Sequence, residues 1–344
     1  MKPIHLNIDG IRVEAREGMT VLDAARGAGV YIPTLCAHED LEPFGACRLC
    51  LVEVKGLRGY QTACTTRVAE GMEVKTDTPE IEKIRRVNVE LLLTDHPFDC
   101  LSCPANQACE LQKVAAHLGI DRIRFRKIEK SLPPDESNPF FRMDPNKCIL
   151  CGRCVRTCRE LQAVGAIDFI GRGYATRVGT SQNLPLKDSI CESCGECLVR
   201  CPTGALAARG ELPGLREVKS ICPYCGVACG IVLKIRGNRI VSVAGDRESP
   251  VNRGSLCVKG RFGVGDFVSS PERLTRPLIR EGGKFREAGW EEALTRIADE
   301  FSRFQGDAFA AVASAKIPNE DNYLIQKFAR AVMHTNNVDH CARL

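Results

Sequence analysis

Nineteen of the chain's twenty cysteines, with one histidine, fall into five sets of four along its 344 residues. Thiolates at such spacings call for a metal centre between them. A chain built around several such centres folds as small, loop-rich modules rather than around one large apolar core. The scarcity of aromatic residues, 6% of the chain, agrees with that expectation. No apolar stretch approaches the ~20 residues that cross a bilayer. The N-terminus, Met1-Lys-Pro-Ile-His-Leu-Asn, has neither an apolar leader nor a twin arginine. The expected location is therefore the cytoplasm, where thiols stay reduced and serve metals rather than disulfides. The net charge of +5 is spread along the chain, and its densest run, Arg122–Lys127, reads as a solvated face, so no nucleic-acid partner is expected.

The first set, Cys36, Cys47, Cys50 and Cys64, has the long-loop, short-pair, distant-fourth layout of plant-type [2Fe–2S] ferredoxins. Gly45 and Ala46 let the backbone close on the sulfides. A four-cysteine zinc site is the competing reading, but zinc ribbons usually pair two short-spaced couples. The second set is His96, Cys100, Cys103 and Cys109. Imidazole in place of a thiolate lowers the negative charge of a [4Fe–4S] site and raises its potential, as histidine does in Rieske centres. On the residues alone, a helix-end histidine with an unrelated fourth ligand stays open.

The third and fourth sets form an internal repeat. Cys148, Cys151, Cys154 and Cys158 have the same spacing as Cys191, Cys194, Cys197 and Cys201, which Pro202 follows. This is the spacing of bacterial two-cluster ferredoxins, in which the fourth cysteine of each run serves the other cluster. Cys201 is thus expected with Cys148, Cys151 and Cys154, and Cys158 with Cys191, Cys194 and Cys197. The fifth set, Cys222, Cys225, Cys229 and Cys257, reads as a [4Fe–4S] site whose last ligand returns after a β-rich excursion over 231–243. Lys259 follows that ligand, and spacing alone makes it a surface lysine.

The expected fold class is α+β and multi-modular. A β-grasp [2Fe–2S] ferredoxin spans 1–78, with an Asp9-Gly10 hairpin and a Thr20/Asp23 capping box. A helical module holding the histidine and three cysteines of the second set spans 79–118, capped at Thr78-Pro79. Residues 130–138 read as a linker. A two-cluster ferredoxin spans 139–210, a β-rich [4Fe–4S] module 218–270, and an incomplete α/β domain 271–344. In the last, an apolar stripe from Trp290 to Phe304 predicts a helix, 309–313 a buried strand, and Asn319 the cap of a second helix. Cys341, the one thiol outside the five sets, is expected to be buried.

With the five sets in this order, the chain resembles the N-terminal part of the catalytic alpha subunit of cytosolic NAD-dependent formate dehydrogenases. These are molybdenum- or tungsten-bis(pterin guanine dinucleotide) oxidoreductases. The resemblance covers essentially the whole chain and includes Leu274-Thr-Arg-Pro-Leu-Ile-Arg280, Asn319-Glu-Asp-Asn-Tyr323 and Asn336-Asn-Val-Asp-His-Cys-Ala-Arg-Leu344. It implies one [2Fe–2S] and four [4Fe–4S] clusters, with His96 as a ligand. It implies that Lys259 lies between the Cys222 cluster and a pterin and assists electron passage. Formate and carbon dioxide would be interconverted at the Mo or W centre. Electrons would run singly from the Cys222 cluster through the ferredoxin pair and the His96 cluster to the Cys36 cluster, then to a diaphorase-like flavin- and NAD-binding iron–sulfur partner subunit. The family's catalytic cysteine or selenocysteine falls just after Leu344, so no catalytic residue is expected in this sequence. The expectation for that end is a selenocysteine UGA codon read as a stop.

The alternative is a non-catalytic electron-transfer subunit like the large iron–sulfur subunit of complex I or of a hydrogenase. The two complete four-cysteine runs argue against the former. The Cys222 module and Lys259 do not fit the [FeFe]-hydrogenases.

Overall fold

The computed structural model describes residues 3–210 and 216–342, in two compact units divided after Gly210. Leu344, on which the expectation about the catalytic ligand rests, lies outside the described residues.

In the first unit, β1 (Pro3–Ile8) and β2 (Ile11–Arg16) form an antiparallel hairpin. Asp9 and Gly10 both take positive φ, 52° and 85°, as a type I′ turn requires. α1 (Val21–Gly27) opens on the predicted capping box, Thr20 and Asp23 each bonding the other's backbone. β3 (Leu51–Val54), β4 (Tyr60–Thr62) and β5 (Glu73–Lys75) complete a sheet of order β2-β1-β5-β3-β4, in which β1 and β5 run parallel. Leu6, Ile8, Val52 and Val74 from the sheet bury with Val21 and Leu22 of α1.

α2 (Pro79–Thr94) starts at Thr78, whose hydroxyl accepts from the Ile81 N–H at 3.3 Å. With α3 (Glu110–His117) it buries Val89, Leu111 and Val114 against Leu35 and Leu49 of the first cysteine loop. Arg85, buried on α2, donates to the carbonyls of Leu49, Leu51 and Thr76 at 2.8–2.9 Å. Residues 130–138 are not a free linker. Leu132 exchanges hydrogen bonds with Asn146, Asp135 bridges to Met143, and the Asp135 carboxylate accepts from the Leu186 N–H.

The repeat is built from β6 (Phe141–Met143), α4 (Arg153–Arg156), the β7 (Ile167–Ile170)–β8 (Arg177–Thr180) hairpin, α5 (Glu196–Arg200) and β9 (Leu206–Ala208), with β9 pairing β6. α4 and α5 each begin after a left-handed glycine, Gly152 (φ 72°) and Gly195 (φ 76°). A side chain at Gly152 would also meet the Phe44 ring at 2.9 Å.

In the second unit, β10 (Arg216–Ile221), β11 (Gly230–Arg236) and β12 (Arg239–Gly245) form an antiparallel sheet, followed by α6 (Val264–Ser269). A β13 (Leu278–Glu281)–β14 (Lys284–Glu287) hairpin leads to α7 (Trp290–Phe301), β15 (Ala311–Ala313), α8 (Asn319–Ala331) and β16 (Val338–His340), the last parallel to β15. Three expectations change here. The strand is shorter than 309–313 and not buried, since Val312 is 75% exposed in a two-stranded sheet. Pro318 rather than Asn319 sits at the N-cap of α8, so Asn319 is its first residue. Cys341, just past β16, is exposed, its sulfur 3.5 Å from the Ser314 hydroxyl. Most of the stripe on α7 stays exposed, Trp290 at 70%, though Phe301 packs on the Phe309 and Phe328 rings, and Phe304 lies past the helix end.

Candidate metal centres

The repeat encloses two apolar cavities. One is lined by Cys148, Cys151, Cys154 and Cys201, the other by Cys158, Cys191, Cys194 and Cys197. These are the crossed groupings that the spacing predicts. Burial pushes the Cys148 thiol up to about 11 and Cys151 to about 12, and the Cys201 charge adds to both. Cys158 acts likewise on Cys191, Cys194 and Cys197, after burial. Cys154 and Cys197 each feel a sulfur of the other group, so the cavities are neighbours. Backbone N–H groups aim at the sulfurs, Leu150 at Cys148 (3.4 Å) and Ala166 at Cys158 (3.2 Å). Such donors favour the thiolate that binds metal.

The first set also converges. Cys36 lies close enough to Cys47, and Cys64 to Cys50, to shift its thiol, and charge couples the pairs. The Leu35 N–H approaches Cys47 at 3.4 Å. In the second set, Cys100 and Cys103 raise the Cys109 thiol, behind burial as the larger cause. The Lys147 side chain feels the Cys103 charge, while its carbonyl faces the His96 ring. His96 is buried, and burial depresses its pKa, so the ring is neutral. Its Nδ1 lies 2.9 Å from the Pro97 carbonyl, and Nε2 is buried with no hydrogen-bond partner. Nδ1–H donation to Pro97 leaves the Nε2 lone pair free, which is the tautomer of a metal-bound histidine. A Cβ on Gly204 would come within 2.5 Å of the Cys103 sulfur, so this backbone must approach the set closely.

In the second unit, burial raises the Cys229 thiol, and Cys222, Cys225 and Cys257 raise it further. Burial also raises the Cys222 thiol, and the Lys259 charge tempers that rise. Among the described residues, no three histidine, cysteine or carboxylate side chains close on a single ion.

Sequence reading missed the arginines that fasten the sets together. Arg153, Arg156 and Arg200 are buried. Arg153 grips Glu110 through two bonds of 2.6 and 2.8 Å. Arg156 donates to the carbonyls of Cys36 and Glu42 and lies 5.0 Å from the Phe44 ring, which stacks on Phe169. Arg200 pairs with Glu196 and, at 2.9 Å, with Asp40. The available signal was arginine inside a run of buried ligands, where a cation is costly unless paired.

Matches to known families follow the same order. The 2Fe-2S iron-sulfur cluster binding domain matches 1–79, and the NADH-ubiquinone oxidoreductase-G iron-sulfur binding region 85–124. The 4Fe-4S dicluster domain matches 147–205, the molybdopterin oxidoreductase Fe4S4 domain 215–268, and the molybdopterin oxidoreductase domain 273–344. Together the matched modules make up the iron–sulfur N-terminal region of a molybdopterin oxidoreductase. Over 99% of its length it is 38% identical to an NADH-quinone oxidoreductase subunit of Rhizobium meliloti (strain 1021). Over 98% it is 31% identical to a Staphylococcus aureus (strain N315) protein named "Putative formate dehydrogenase SA2102". It spans 40% and 39% of these relatives. It also resembles a chain in the crystal structure of NAD+-reducing [NiFe]-hydrogenase in the H2-reduced state, at 31% identity and TM-score 0.52. That match covers 60% of this chain and 87% of the other. No described helix is long and apolar enough to cross a membrane.

Proposed function

We propose that the five ligand sets hold one [2Fe–2S] and four [4Fe–4S] clusters and that the chain is an electron relay. The modules are read as a β-grasp ferredoxin over 1–78, the His96 module over 79–118, a two-cluster ferredoxin over 139–210, a β-rich cluster module over 218–270, and the start of a molybdopterin domain over 271–344. The observation that carries the reading is the pair of cavities, each lined by three cysteines of one run and the fourth of the other. Bound clusters supply one-electron chemistry, which lets two-electron reagents exchange charge through a protein. The chain's own residues set the ligand geometry, exclude water and aim N–H donors at sulfur.

The finer reading is that the full-length protein interconverts formate and carbon dioxide at a Mo- or W-bis(pterin guanine dinucleotide) centre. Lys259 would sit between that centre and the Cys222 cluster, and a flavin- and NAD-binding partner subunit would exchange electrons at the other end. The Cys36 set adjoins the repeat directly through Arg156, as well as the His96 module. A path from the repeat to Cys36 therefore has two routes, with and without His96. Support comes from the similarity to the Staphylococcus protein and the order of the modules. The second reading, a relay subunit serving another catalyst, is favoured by the likeness to the hydrogenase chain.

Iron and acid-labile sulfide analysis with EPR tests the relay. Five loaded centres give about 18 irons per chain, and about four irons accompanied by zinc would overturn the reading. Reduction of the clusters by formate in the full-length protein separates the two finer readings. His96→Cys is expected to keep its cluster and lower its potential by on the order of 100 mV. A redox titration that finds no change would remove His96 from the ligand set.

A further inference from the structure

We propose that Arg153 is a shared electrostatic element, one buried cation that holds the potentials of the Cys36 and Cys151 centres above what their ligands alone would give. This rests on the ligand sets proposed above. Arg153 lies on α4 between two members of one set, Cys151 and Cys154. Its two bonds to Glu110 reach the residue after Cys109. The Glu110 N–H in turn donates to the carbonyl of Pro202, the residue after Cys201, at 2.9 Å. The thiols of Cys151 and Cys36 both lie close enough for their charge to act on the guanidinium. Its Nε–H is buried and has no hydrogen-bond partner in the protein, so it is a donor for a cluster or ligand sulfur.

The pair is asymmetric. The Arg153 side chain is 4% exposed and that of Glu110 40%. Water screens the carboxylate far better than the guanidinium, so the clusters sense net positive charge. Reduction adds one negative charge to a cluster, and a nearby cation favours that state. The arginine would therefore raise each centre's potential, and its partner carboxylate would temper the rise.

Opposite substitutions test this on the full chain, by potentiometric titration with each cluster followed by EPR. Arg153→Gln is expected to lower the potentials of the Cys36 and Cys151 centres by about tenfold in the one-electron equilibrium, 59 mV. Glu110→Gln is expected to raise them, and Arg153→Lys to leave them near wild type. A brace without an electrostatic role predicts shifts of the same sign, or loss of signal, for both neutral variants, and that result overturns the proposal. Should Arg153→Gln fail to load its clusters, Glu110→Gln alone decides: a rise supports the proposal, and no change or a fall sinks it. A wild-type chain without [2Fe–2S] and [4Fe–4S] signals would instead defeat the ligand assignment itself.

Discussion

Cys201→Ala is expected to abolish the centre of the other run, the one lined by Cys148, Cys151 and Cys154, or to leave it with three irons. The set of Cys191, Cys194 and Cys197 keeps its fourth ligand, Cys158, and its EPR signal should persist. Cys158→Ala should give the reverse pattern. Iron content should fall by about one to four atoms in each case. The expectation follows from the cavities, since Cys201 lines the space of the first run and Cys158 that of the second. If Cys201→Ala removed the signal assigned to Cys191, Cys194 and Cys197, the crossed assignment would be wrong. Loss of both signals would show instead that the halves cannot fold separately, and Mössbauer spectra of the partly loaded chain would separate that case.

Arg200→Ala is the substitution expected to cost most stability outside the ligands. Glu196 is 0% exposed, and Arg200 bonds both Glu196 and Asp40. Deleting the arginine breaks the ion pair of a fully buried carboxylate, which typically costs about 3–5 kcal/mol. For a unit of this size that corresponds to a fall in Tm of about 6–20 °C. A surface pair would cost under about 1 kcal/mol. A loss of that smaller size, measured by anaerobic thermal unfolding of the loaded protein, would place the pair at the surface. Replacing Arg200 and Glu196 together by methionine and leucine should recover much of the loss, because the fully buried carboxylate goes with its cation and only the part-exposed Asp40 loses a partner.

Much of the site was legible because metal chemistry fixes spacing. Two ligands that share a cluster through a tight loop have two or three residues between them, so the cysteine runs declare themselves without a structure. Local backbone rules were equally legible: Asp9-Gly10 makes its turn and Thr20 caps its helix whatever surrounds them. The arginines were not, because Arg156 finds Cys36 and Arg200 finds Asp40 across more than a hundred residues. No periodicity encodes such a contact. Residues 130–138 show a related limit. Proline and charge forecast the lack of regular structure there, but Asp135 still anchors the segment on Leu186 and Met143. Apolar patterning likewise marks the stripe on α7 and the strand at Ala311–Ala313 without saying whether anything covers them, so the strand and Cys341 proved exposed.

The exchange of cysteines between the two runs also orders events in time. Cys148, Cys151 and Cys154 leave the ribosome with one wall of their cavity unmade. Cys201 follows only after some forty-seven further residues, roughly two to ten seconds at ~5–20 residues per second. Cys158, meanwhile, is synthesised ahead of every sulfur it will sit beside. Neither cavity has its full lining until the second run exists. A nascent chain arrested between the runs would hold Cys148, Cys151, Cys154 and Cys158 with neither cavity complete, and those four thiols would need protection from oxidation until synthesis resumed.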